Sequence, residues 1–108
     1  MLKVVFHIVE LEKWESTMAN IKDLIDREPD AIVEIIVMSK AASLFGKYIG
    51  MDFDGILGNP NVRWIIGRRG LELNKLSEDM LPHFVIVEDS VITRIARLQN
   101  EGYAYIRL

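Results

Sequence analysis

A single α/β domain, with a five-stranded and mainly parallel sheet and helices on both faces, is the architecture expected of this chain. Three observations lead there. Five short runs are dense in β-branched and aromatic residues, as strands buried on both faces are. Between them, longer stretches repeat apolar residues at helical spacing. The 108 residues make one domain, and half of them are hydrophobic, enough to cover both faces of a sheet. Strands alternating with helices imply βαβ crossovers, and those require parallel pairing.

The elements follow in order. Lys3 to Val9 (KVVFHIV) reads as the first strand. Lys13 to Glu28 reads as a helix, because Trp14, Met18, Ile21 and Ile25 form one apolar stripe and Pro29 marks its end. Ala31 to Met38 (AIVEIIVM) is a second buried strand, interrupted by Glu34. Ser39 and Lys40 read as a turn into a helix start at Ala41 to Phe45. Val62 to Ile66 (VRWII) is the third strand and His83 to Val87 (HFVIV) the fourth. Ser90 suits the N-cap of a helix from Val91 to Glu101, in which Val91, Ile95 and Leu98 share a face. Gly102 is placed to stop that helix in the left-handed conformation. Tyr103 to Arg107 (YAYIR) completes the set of strands. No stretch has the composition of a linker, and no period repeats.

Composition excludes several classes of function. There is no cysteine, so a disulfide scaffold, a thiolate zinc site, an iron–sulfur cluster and a cysteine nucleophile are all ruled out. The net charge is −3 and the isoelectric point about 5.3, which gives no electrostatic footprint for nucleic acid or an anionic membrane. The longest apolar run, Ala31 to Met38, is too short to span a bilayer, and residues 1–9 lack a cleavage site. A cytoplasmic location is the expectation. The high apolar content, with a mean hydropathy of +0.16, leads us to expect an oligomer.

In open parallel sheets, ligands bind beyond the carboxyl ends of the strands. That rule selects Glu10, Ser39 and Lys40, then Gly67 to Arg69, and Glu88 to Ser90. The stretch Gly46 to Asn61 breaks the alternation. It holds glycines 46, 50, 55 and 58 together with Tyr48, Ile49, Met51, Phe53, Ile56 and Leu57. A long loop with that apolar content is a ligand lid or a subunit interface. No phosphate-loop spacing adjoins it, which favours an interface through Tyr48, Met51, Phe53, Ile56 and Leu57.

The start KVVFHIVELEKW, the helix segment NIKDLI (Asn20 to Ile25) and the ending NEGYAYIRL resemble the DsrE/DsrF-like family of small α/β proteins. IIVMSKAA (Ile35 to Ala42) is similar to that family's second strand and the turn after it. VRWIIG (Val62 to Gly67), followed by LPHFVIV, is similar to its third and fourth strands. The resemblance covers essentially the whole chain. It implies a flavodoxin-like three-layer fold that assembles as trimers or hexamers. In the best-known members it implies a sulfur relay, with a cysteine after the third strand carrying a persulfide. Here that position is Gly67, followed by Arg68 and Arg69. A persulfide carrier needs a thiolate, and this chain has none to offer. The family also includes cysteine-lacking subunits that partner a cysteine-bearing paralogue.

Three constellations bear on chemistry. His7, near the end of the first strand, is an acid/base candidate with an ordinary pKa in the useful range, or else a buried histidine bonded to a neighbour. Glu10 follows it, but three residues along an extended segment put the two side chains on opposite faces. Arg68 and Arg69, between Gly67 and Gly70, could hold a carboxylate, sulfate or phosphate. The plainer alternative is ion pairing with Glu72, Glu78 or another subunit. GRRG is not a Walker loop, so nucleotide binding has no motif. Asp52 and Asp54 lack the further ligands of a calcium loop, so no metal is expected. Trp14, Trp64 and His83 read as structural. No cofactor is expected. Three functions remain: a non-catalytic oligomeric scaffold or binding subunit; a small-anion binder or enzyme using Glu10, Ser39, Lys40, Gly67, Arg68 and Arg69; and a partner subunit in a sulfur relay.

Overall fold

The structure, a computed structural model, describes residues 1–38, 56, 58–81 and 83–108. Five strands form one sheet: β1 (Lys3–Ile8), β2 (Ile32–Val37), β3 (Val62–Gly67), β4 (Val85–Glu88) and β5 (Ala104–Arg107). Their order is β4-β3-β2-β1-β5, and every neighbouring pair is parallel. Three helices connect them among the described residues: α1 (Trp14–Arg27), α2 (Arg68–Leu73) and α3 (Val91–Asn100).

Strand alternation divides the core in two. On one face, Val4, Phe6 and Ile8 of β1, Val33, Ile35 and Val37 of β2, and Trp64 and Ile66 of β3 pack with Met18 and Ile21 of α1 and Leu71 of α2. On the other, Val5, Ile36 and Ile65 pack with Val91, Ile95 and Leu98 of α3. Each such side chain, fully buried, contributes on the order of 1.5–3 kcal/mol of transfer free energy. The apolar runs of β1 and β2 are therefore continuous because both faces are covered.

The helix ends follow their local chemistry. Ser90 Oγ accepts the Thr93 N–H at 3.3 Å and caps α3. Gly102 closes it at φ +95°, with the Tyr103 N–H returning to the Leu98 carbonyl at 2.9 Å. A 3₁₀ turn, Leu11–Lys13, leads into α1, so the α-helix proper begins at Trp14. The fourth strand starts at Val85, later than the sequence pattern suggests. His83 and Phe84 form a turn before it, their rings edge to face at 5.8 Å. Trp14 and Trp64 lie 6.3 Å apart at the α1–sheet boundary.

Candidate functional site

The connections locate the site. β3 leads into α2, whose Leu71 packs on the α1 side of the sheet. β4 leads into α3, which packs on the opposite side. Two adjacent parallel strands thus send their chains to opposite faces, and the sheet opens between them at its carboxyl end. This is the topological switch point at which open α/β sheets take ligands. A crevice of about 410 Å³ lies there, lined by Met38 at the end of β2, Gly67, Arg69 and Leu73 across β3 and α2, and Ser90 and Ile92 at the start of α3.

Gly67, at the end of β3, lies against Val91 in the first turn of α3. A Cβ at this position would stand 3.0 Å from Val91 Cγ2, tighter than side chains normally meet. A larger residue there would need Val91 to give by a few tenths of an ångström, whereas the backbone at φ −74° is open to any residue. The two neighbouring arginines differ. Arg68 is exposed but engaged: its Nε donates to Asp89 Oδ1 at 2.6 Å and its Nη1 donates to Glu78 Oε1. The hydrogen bonds to Asp89 and Glu78, and then their charges, hold its pKa above the ordinary arginine value. Two carboxylates against one guanidinium leave Arg68 no unanswered positive charge. Arg69 is exposed at the crevice wall, and no carboxylate among the described residues pairs with it.

The other sequence-selected residues are distributed as follows. Glu10 pairs with Lys13 at 3.2 Å on the surface. His7 is 7% exposed, on the α3 side of the sheet. Its Nδ1 is 2.7 Å from the Tyr105 hydroxyl, and its Nε2 lies against the Met38 sulfur. Burial, and then the charge of Arg107, lower its pKa below the ordinary 6.5. Ile56 is buried, 4% exposed, in the α1-side core of its own subunit. Ser39, Lys40, Tyr48, Met51, Phe53 and Leu57 lie outside the described residues.

One cluster was not singled out from the pattern. Glu34, its side chain 1% exposed in the middle of β2, receives Arg94 Nε of α3 at 2.8 Å and faces Arg63 Nη1 of β3 at 3.4 Å. Arg94 Nη1 also donates to Glu88 Oε2 at 3.0 Å. Burial works to lower the Arg94 pKa, but the hydrogen bonds and charges of Glu34 and Glu88 outweigh it and the value is raised. Burial first, and the Glu34 charge next, raise the Tyr103 phenol. The signal was the lone acidic residue inside an apolar strand: a buried carboxylate demands a partner, although the sequence does not say which. Among the described residues, no group of three or more histidine, cysteine or acidic side chains is placed to hold a metal ion. No described helix is long and apolar enough to cross a membrane.

No family model matches the chain, and no curated protein matches it significantly. Two solved structures share its architecture over the full length of both chains. One is the protein of unknown function MTH1491 from Methanobacterium thermoautotrophicum, 24% identical with a TM-score of 0.85. The other is the ychN protein from E. coli, 18% identical with a TM-score of 0.77. At these identities the likeness establishes the fold: a three-layer α/β domain on a five-stranded parallel sheet.

Proposed function

We propose that this chain is a DsrE-like binding or scaffold subunit, a cytoplasmic homo-oligomer that does not carry sulfur. One observation carries the reading. Where the sequence resemblance puts a reactive cysteine, Gly67 is packed so tightly against α3 that a Cβ would come within 3.0 Å of Val91 Cγ2. No thiol exists elsewhere in the chain to replace it. The adjacent Arg68 is already held by Asp89 and Glu78. What the crevice retains is a surface for recognition. Leu73 and Ile92, 66% and 67% exposed, stand at its lips. Large apolar side chains exposed around a concavity favour a bound molecule or chain.

The test is native mass spectrometry with light scattering on protein purified without phosphate or sulfate. The expected mass is a multiple of 12.4 kDa without a covalent adduct. A single-chain mass at micromolar concentration overturns the scaffold reading. A second reading is favoured by Arg69, exposed at the crevice without a carboxylate partner among the described residues. Here the crevice binds a small anion, and a stoichiometric anionic ligand lost in Arg69→Ala would put this reading first. A heteromer with a cysteine-bearing paralogue would instead indicate a relay partner.

A further inference from the structure

On the α3-side face, separated from the crevice by Met38, β1 and β5 bring His7, Tyr105 and Arg107 together. His7 is in register with Arg107, and Val5 with Tyr105, so the imidazole lies between the two β5 side chains. The rings of His7 and Tyr105 are 5.8 Å apart and tilted by 57°. His7 is buried, whereas Tyr105 is 38% exposed and Arg107 is also exposed. No carboxylate among the described residues pairs with Arg107.

The neighbours determine where the imidazole proton sits. Nε2 lies against the Met38 sulfur, and a thioether offers lone pairs only. That contact favours the tautomer of the neutral ring with its proton on Nε2, which leaves Nδ1 with its lone pair. In that tautomer the hydroxyl 2.7 Å from Nδ1 is the donor: the Tyr105 O–H donates a hydrogen bond to His7 Nδ1 and keeps its proton. Burial and Arg107 both disfavour imidazolium, so this arrangement persists at neutral pH. With its hydrogen directed inward, the Tyr105 oxygen presents only lone pairs to solvent. A ligand that meets it must donate a hydrogen bond.

We propose that Tyr105, oriented by His7, forms with Arg107 a second binding site, selective for a small oxyanion that still carries a hydroxyl proton, with hydrogen phosphate as the simplest example. Arg107 supplies attraction for the negative charge. Tyr105 supplies selection, because an anion without a proton would set its own lone pairs against those of the phenol oxygen. Hydrogen phosphate and sulfate separate the two contributions. At slightly alkaline pH both are tetrahedral dianions, but only the first has a hydroxyl to donate. A site that requires a hydrogen bond rejects an analogue unable to make it far more strongly than a site reading size or charge alone.

The experiment is NMR on the full-length ¹⁵N-labelled protein at slightly alkaline pH. Long-range proton–nitrogen correlations assign the His7 tautomer, and the His7 ring resonances are followed during titration with inorganic phosphate or with sulfate. The expected result is a proton on Nε2, a saturable shift with phosphate, and binding of sulfate at least about tenfold weaker. Arg107→Ala should weaken both anions. Tyr105→Phe should retain anion binding and lose the preference. A proton on Nδ1, equal binding of the two anions by the unmodified protein, or no shift with phosphate would each overturn the proposal. So would a shift abolished by Arg69→Ala and kept in Arg107→Ala, which would put the anion at the crevice.

Discussion

Arg94 Nε reaches Glu34 Oε1 at 2.8 Å, and with that bond α3 is fastened to the centre of β2 across an otherwise apolar interface. Arg94 also bonds Glu88 at the end of β4, and Arg63 of β3 faces Glu34 from the other side. Three strands and a helix thus share one ionic cluster. Leaving a buried charge wholly unanswered costs about 3–5 kcal/mol. Without Arg94, Glu34 keeps the longer contact to the exposed Arg63, so Arg94→Ala should lower the unfolding free energy by less than that, about 2–3 kcal/mol in urea titration. Glu34→Val combined with Arg94→Met should recover most of it, because the charge and its partner leave together. A loss below about 1 kcal/mol for Arg94→Ala would mean that the cluster behaves as a solvated surface pair.

Gly67 and Val91 make the second prediction. Gly67→Cys restores a thiol at the end of β3, but its Cβ begins at 3.0 Å from Val91 Cγ2. Overpacking of this kind costs about 1–3 kcal/mol. Val91→Ala removes the obstructing methyl while opening a small cavity by itself. The double variant should be more stable than the sum of the two losses, by about 0.5 kcal/mol or more. Strict additivity in chemical unfolding would show that Val91 does not restrict this position.

His7 should make stability depend on pH. Its pKa is lowered in the fold, while in the unfolded chain it takes up a proton near the ordinary 6.5. The unfolded state then binds more protons in the interval between the two values. The stabilisation is complete above the unfolded value and is lost as the pH falls through it toward the lower folded value. The slope from one group cannot exceed about 1.4 kcal/mol per pH unit. Unfolding of His7→Gln should lack this slope. An unchanged pH profile in that variant would assign the acid sensitivity to other groups.

Assembly gives the last prediction. If the apolar stretch Gly46 to Asn61 is a subunit contact, Phe53→Ser should shift the light-scattering mass toward the 12.4 kDa of one chain. Trp14→Phe, a conservative change where Trp14 meets Trp64 inside the subunit, should not. Wild-type mass in both variants would place the contact on another surface.

The architecture was legible because it rests on local periodicity. Continuous β-branched runs marked β1 and β2, the Trp14–Met18–Ile21 stripe marked α1, and Ser90 and Gly102 marked the ends of α3. Each signal lies within a few residues of the feature it describes. The missing thiol was equally plain, since a chain without cysteine has no persulfide chemistry whatever its fold. The rule that ligands gather at the carboxyl ends of parallel strands marks Gly67, Arg68, Arg69 and Ser90 in the sequence itself.

Relations between residues distant in the chain were settled by three-dimensional packing. The order β4-β3-β2-β1-β5, with α2 and α3 on opposite faces, opens the crevice between β3 and β4. No local pattern encodes which strand neighbours which. Arg68 reads in sequence as an anion ligand or an ion-pair partner of Glu72 or Glu78; folding pairs it with Glu78 and also brings Asp89, twenty-one positions away, onto its Nε. Glu34 looked like an interruption, yet Arg94, sixty positions on, answers it. His7 reads in sequence as an acid/base candidate or a buried histidine bonded to a neighbour, and the neighbour it meets is Tyr105, ninety-eight positions away on the adjacent strand. Composition and spacing specify the kinds of element a chain forms, because they act through short-range sterics and burial. The partner of a charge or a proton depends on strand register and helix placement, which arise only when the whole sheet is assembled.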